Sequence, residues 1–162
     1  MKINLAFGIF FSSIFFFFLS CGTRPATTSG TTETSNFAKF EEDILKQVNQ
    51  YRASKGLPLL TLNNVISAEA ENHSQKMASG RTPFGHSGYS SRINTITNQL
   101  GTVTRSAENV AYGSRSAQEV VSNWLNSPGH KQNIEGDFNL TGIGVARNKK
   151  GVLYYTQLFI KR

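Results

Sequence analysis

From Phe37 onward the apolar positions fall at helical spacing: Phe37, Phe40, Ile44, Val48 and Tyr51, with Glu41, Glu42 and Asp43 near the start. This period predicts an amphipathic helix, stopped by Gly56 and Pro58. A second helix is predicted from about Asn63 to Ser79, with Ile66, Ala70, His73 and Met77 on one face and Gly80 past its end. His73 therefore points towards the core, where a histidine is more often a satisfied packing residue than a ligand. The turn-rich segment Thr82-Pro83-Phe84-Gly85-His86-Ser87-Gly88-Tyr89 presents His86 in a loop. Residues 90–106 are polar, anchored by Ile93, Ile96, Leu100 and Val103, and read as irregular apart from one short helix.

The segment Ala107-Glu108-Asn109-Val110-Ala111-Tyr112-Gly113 sets an acidic residue among small and apolar ones. An ionised carboxylate at the edge of a core needs a partner, which singles out Glu108 in a way that Glu41 is not. Ser116-Ala117-Gln118-Glu119 is a capping box opening a helix with Val120, Val121, Trp124 and Leu125 inward. Ser127-Pro128-Gly129-His130 then opens another, with Ser127 as its cap and Pro128 at the first helical position. His130 falls in that first turn, where the positive end of the helix dipole disfavours imidazolium and keeps the ring neutral. The tail reads as a hairpin: Thr141 to Arg147 and Val152 to Ile160 flank Asn148-Lys149-Lys150-Gly151. Its second run is apolar on both faces, as in a strand covered on both sides.

The first twenty residues follow other rules. Lys2 is their only charge, Leu5 to Leu19 is almost wholly apolar, and the chain's one cysteine, Cys21, follows directly. A short basic start before such a run is an export signal, interrupted by Ser12-Ser13 and too short for a comfortable membrane span. Phe18-Leu19-Ser20-Cys21 resembles a bacterial lipoprotein cleavage box, although Phe18 stands where leucine is usual and Leu19 is bulky for its place. Acyl chains on Cys21 would anchor the chain without a spanning helix. Residues 21–36, rich in Thr, Ser and Gly, read as a flexible tether, and 37–162 as one folded domain. Loss of residues 1–20 lowers the net charge from +7 to +6, a balance that favours anionic surfaces in general. No basic stripe is interleaved with aromatics, so nucleic acid is not an expected partner. With Cys21 spent on lipid no disulfide forms, and the domain rests on its hydrophobic core.

In this order, Phe-Gly-His86-Ser, Ala-Glu108-Asn-Val-Ala-Tyr-Gly, Trp124 with Ser-Pro-Gly-His130, Gly142-Ile-Gly-Val and Tyr154-Tyr-Thr-Gln157 together resemble the CAP superfamily. Its members include cysteine-rich secretory proteins, antigen 5 and pathogenesis-related 1 proteins, and the chain is most similar to a disulfide-free bacterial branch. The resemblance covers roughly residues 40–160. It implies an α+β chain: an α-β-α sandwich with a central antiparallel sheet between helical layers and a cleft across one end. In that cleft it implies two histidines, matched by His86 and His130, and a glutamate, matched by Glu108. His73, Tyr155 and Gln157 are secondary cleft candidates. The second glutamate expected just after the motif tryptophan is absent, since Leu125, Asn126 and Ser127 follow Trp124. Ala107 replaces the usual glycine and Tyr155 the usual tryptophan.

Two imidazoles and a carboxylate form a ligand set suited to a divalent metal, zinc or magnesium, and no organic cofactor is expected. Without metal the same groups could exchange protons or bind a ligand. No His-Glu-x-x-His helix is present, and neither Ser87 nor Ser127 is placed by a motif as a nucleophile. Three functions follow. The favoured one is an exported, monomeric lipoprotein of the bacterial cell envelope whose cleft holds a metal and a small, lipid-like ligand. The second is a metal-assisted hydrolase of envelope or host polymers. The third is a surface interaction platform with a non-functional cleft; a lipid, a glycan or a host surface protein are the candidate partners.

Overall fold

The computed structural model describes residues 29–162, with side chains from residue 37 on; the export segment and Cys21 lie outside the described residues. The order of elements is α1 (Ser29–Ser54), β1 (Thr61–Leu62), α2 (Asn64–Ala78), α3 (Tyr89–Leu100), β2 (Arg105–Tyr112), α4 (Ala117–Leu125), α5 (Pro128–Glu135), β3 (Leu140–Arg147) and β4 (Leu153–Lys161). The first helix begins upstream of Phe37 and takes in residues 29–36, part of the stretch read as tether. Once packed turns have nucleated a helix, each further residue adds a bond at little cost.

The four strands lie in the order β1-β3-β4-β2. β4 pairs antiparallel with β2 and β3, as the hairpin predicts. The central antiparallel sheet is as expected, and β1 adds to it one parallel pair with β3, over Thr61–Leu62 alone. The two-residue strand lies between two helices, so it enters the sheet only briefly before Asn63 caps α2 through its side chain.

Alternation along β4 divides the core in two. Leu153, Tyr155 and Phe159 join Ile44 and Val48 of α1, Val120 and Trp124 of α4 and Ile134 of α5 on one face. Leu158 and Ile160 join Ile66 and Ala70 of α2 and Ile96 of α3 on the other. Helices therefore cover both faces, as a sandwich requires. Among the described residues the two clusters span Phe37 to Ile160 and fill both faces of the sheet, the core that a domain of residues 29–162 needs to fold.

Two packing devices hold the layers in place. α2 lies directly on β3 because Gly142 and Gly144 have no side chain; a Cβ there would come within 2.2 Å of Ile66 C and 2.1 Å of Glu71 N. Ser74 locks the contact, its hydroxyl donating to Gly144 O and accepting from the Thr156 hydroxyl, both at 2.8 Å. On the other face Arg52 is buried and donates to the carbonyls of Pro58, Ile134, Gly136 and Phe138. A fixed cation on the last carbonyls of α5 satisfies groups that the helix cannot and complements its dipole.

The chain corrects three local readings. The one short helix expected within residues 90–106 is longer than expected, three full turns over Tyr89–Leu100, and β2 begins at Arg105. Ser127 takes the cap position of α5 without a side-chain bond to the helix. In the α4 box Ser116 accepts from Glu119 N–H as expected, but Glu119 reaches back to Arg115 N–H, one residue beyond the cap.

Candidate functional site

β2 is an edge strand, and its side chains alternate between the two helical layers. Glu108 pairs in register with Leu158 and so faces α2 and α3; Asn109 pairs with Gln157 and faces α5. The site is built around this edge, where the two layers meet.

The partner that Glu108 needs is Arg92, one turn into α3. Its Nη2 lies 2.8 Å from Oε1 and 2.6 Å from Oε2, and its Nε lies 2.9 Å from Oε2. Its Nη1 donates to Ser87 O at 2.9 Å and to His73 Nδ1 at 3.1 Å. All five guanidinium hydrogens are thus used, the arrangement in which arginine is strongest. Gly88, at φ 77°, turns the chain into α3, and a Cβ there would lie 3.4 Å from Arg92 Nη1.

The same network fixes His73. Arginine only donates, so Nδ1 accepts and the ring proton sits on Nε2, which donates to Gly85 O at 2.8 Å. Burial holds the His73 pKa below the ordinary imidazole value, while the Gly85 carbonyl opposes it and Arg92 adds to it. Both nitrogens are spent, and His73 braces Arg92 instead of facing a ligand.

His86 stands on the solvent side of the carboxylate, its Nδ1 2.9 Å from Glu108 Oε1. An ionised carboxylate only accepts, so His86 Nδ1 carries the proton and Nε2 is left pointing away from Glu108. The ring is half exposed, whereas the Glu108 side chain is only 2% exposed. Beside them a cavity of about 310 Å³ is lined by His86, Tyr89, Ser106, Ala107, Glu108 and Asn133. Tyr89 closes one wall by donating to Ser106 Oγ at 2.6 Å.

His130 comes from the opposite layer. Asn133, one turn further along α5, donates to Asn109 Oδ1 at 2.8 Å and to Glu108 O at 3.2 Å. Asn109 in turn donates to His130 O at 3.1 Å, so α5 is pinned to the strand that carries Glu108. The His130 pKa lies below the ordinary imidazole value, chiefly through burial and then through His86. A neutral ring agrees with the expectation from the helix terminus, but burial is the main cause.

The remaining candidates lie elsewhere. Tyr155 is buried between the sheet and α1, its hydroxyl donating to Ser114 O at 2.7 Å. Gln157 is buried within the sheet and donates to Thr141 Oγ1 at 3.2 Å. Ser87 enters the network through its carbonyl. Sequence reasoning missed Arg92, Tyr89 and Asn133. A signal existed for Arg92: it falls in the same stripe as Tyr89, Ile93 and Ile96, and a charge on an apolar face needs a buried partner.

The profile of the cysteine-rich secretory protein family (CAP) matches residues 45–159. The uncharacterized protein YkwD of Bacillus subtilis is 31% identical over 140 residues, 85% of this chain and 53% of YkwD. The uncharacterized membrane protein YlbC of the same organism is 33% identical over 127 residues, 75% of this chain and 34% of YlbC. The match therefore spans about half of one relative's length and a third of the other's. An extracellular protein containing a SCP domain from Bacillus anthracis superposes with a TM-score of 0.68 at 24% identity, covering 86% of this chain and 45% of that one. An outer surface protein of Borrelia burgdorferi gives 0.63 at 23% identity, covering 75% and 94%. Both share the fold.

Proposed function

The chain belongs to the cysteine-rich secretory protein (CAP) family, and from that premise we propose an exported, envelope-anchored binding module. Its cleft takes a divalent metal between His86 and His130, with room beside it for a small ligand. The observation that carries this reading is the full engagement of Glu108. Both of its oxygens accept from Arg92, and one also accepts from His86. A carboxylate held so tightly by a guanidinium is a poor general base and a poor direct metal ligand.

Among the described residues no three His, Cys, Asp or Glu side chains are grouped to hold a metal, so the reading narrows to the two imidazoles. Glu108 fixes the proton of His86 on Nδ1, which aims the Nε2 lone pair of the neutral ring outward. This is the way carboxylates commonly support metal-binding histidines. His130, held neutral by its surroundings, supplies the second imidazole. Zinc suits imidazole ligands better than magnesium does, and when bound it supplies a Lewis acid that polarises a ligand oxygen or acidifies water. Export and anchoring rest on the apolar run Leu5 to Leu19, on Cys21 and on the secretory character of the family.

Calorimetric titration of zinc into residues 29–162 tests the reading. Saturable one-site binding is expected, abolished in the His86→Ala/His130→Ala variant. Glu108→Gln, which removes the charge that orients His86 and pairs with Arg92, should weaken binding by roughly 10- to 100-fold in a chain that circular dichroism shows to be folded. Absence of binding up to millimolar zinc, or binding unchanged in the double variant, would overturn it.

A further inference from the structure

We propose that the end of the domain carrying the β3–β4 turn lies against an anionic phospholipid surface, with Arg81, Arg115, Lys149 and Lys150 as its cationic contacts. Two grooves flank that turn. One, of about 730 Å³, lies between the end of α2 and the turn, and is lined by Arg81, Arg147, Lys149, Lys150 and Tyr154 among others. The second, of about 450 Å³, is lined by Phe40, Arg115, Arg147 and Lys150 among others. Neither lining contains a carboxylate.

Exposed aromatic rings stand beside these cations. Phe84 packs edge-on to Tyr112 at 4.7 Å, and Tyr112 stacks on Tyr154 at 5.6 Å. Phe84 is 48% exposed and Tyr112 57%, two of the largest apolar exposures among the described residues. Aromatic rings mixed with Lys and Arg are the composition of surfaces that settle at the headgroup level of a bilayer. Each basic side chain near an anionic leaflet strengthens binding about fivefold.

A glycan could also use rings and cations. What favours the membrane is where the chain enters the domain. Phe37 lies under the Arg147 guanidinium at 5.8 Å, and Phe40 packs on Tyr155 at 6.0 Å, so α1 starts at this end of the sheet. It finishes at the other, where Arg52 binds the end of α5. In the sequence, the apolar run and Cys21 precede the helix that enters the domain at this cationic end. From the proposed function this inference uses only that anchor; it does not depend on metal in the cleft. Glu108 lies four residues from Tyr112 along β2, about 13 Å at the rise of a strand.

The test is co-sedimentation of residues 29–162, which lack the anchor, with vesicles of phosphatidylglycerol and phosphatidylcholine in equal parts. Binding is expected there and not to phosphatidylcholine alone. R81E/K149E/K150E should lower the partition by roughly 100-fold or more, given about fivefold per residue. K55E/R105E/R162E makes the same charge change at the opposite end and should stay within about threefold of wild type. Circular dichroism confirms that both variants fold. No binding to the anionic vesicles, equal loss in the two variants, or binding to heparin in place of vesicles would overturn docking. Mass measurement of Cys21 in the envelope-bound chain reads the anchor separately. An unlipidated chain that still binds vesicles removes the anchor and leaves docking standing. A lipidated chain whose domain ignores vesicles contradicts docking alone.

Discussion

Arg92→Leu will destabilise the domain by about 3–5 kcal/mol, the usual cost of stranding one member of a buried ion pair. The Glu108 side chain is 2% exposed and loses three charge-assisted bonds at once. His73 Nδ1 and Ser87 O lose their donor with it. Arg92→Lys will recover only part of the loss, because a compact ammonium cannot serve the carboxylate, the imidazole and the carbonyl together. Arg92→Leu/Glu108→Leu will be more stable than Arg92→Leu alone, since no unpaired charge remains. Urea unfolding of the three variants measures this. A loss below about 1 kcal/mol, or a double variant no better than the single one, would mean that Glu108 does not depend on Arg92.

Gly144→Ala will be nearly as damaging, by about 3 kcal/mol, at the upper end of ordinary overpacking. The added Cβ meets backbone, Glu71 N at 2.1 Å and Ala70 C at 2.4 Å, and backbone cannot change rotamer to escape. α2 must lift from the sheet, taking His73 away from Arg92. Gly129→Ala is the control: nothing lies within 4 Å of a Cβ there, and alanine is the better helix former. It should be neutral or stabilising by up to about 1 kcal/mol. Equal midpoints and slopes for Gly144→Ala and wild type in urea would contradict the close approach of α2.

Much of this architecture is legible in the chain because its long elements carry clean periods. The helical stripes of Ile44 and Val48 and of Ile66 and Ala70, and the two-faced run of β4, are the core as found. α3 was harder, because Ser90, Ser91, Asn94, Thr95 and Thr97 are indifferent helix formers; burial of Ile96 against Leu158 and Ile160 decides its conformation. β2 shows no alternation at all. Glu108 and Asn109 are adjacent, polar and both buried, because each finds its partners in a different helical layer. Such a strand becomes readable only once Arg92 and Asn133 are known to meet it. The two-residue β1 is too short to leave a pattern.

The candidate site is legible in the chain as a set of motif residues, whereas the contacts between them are not. His86, Glu108 and His130 follow from their motifs. That Glu108 is held by Arg92, and so directs His86 from behind, depends on the turn that Gly88 makes into α3. Local spacing does not contain that information. The same holds for Arg52, whose place in the stripe of Ile44 and Val48 gives no hint that its charge closes the far end of α5.

The position of the proton on His86 tests the central claim most directly. Nitrogen-15 chemical shifts of the imidazoles, recorded at about pH 8.5, two units above the ordinary imidazole value, distinguish the two neutral tautomers. The account predicts His86 protonated at Nδ1 in the wild-type chain, and loss of that preference in Glu108→Ala. A His86 ring protonated at Nε2, or one unaffected by the loss of Glu108, would contradict it.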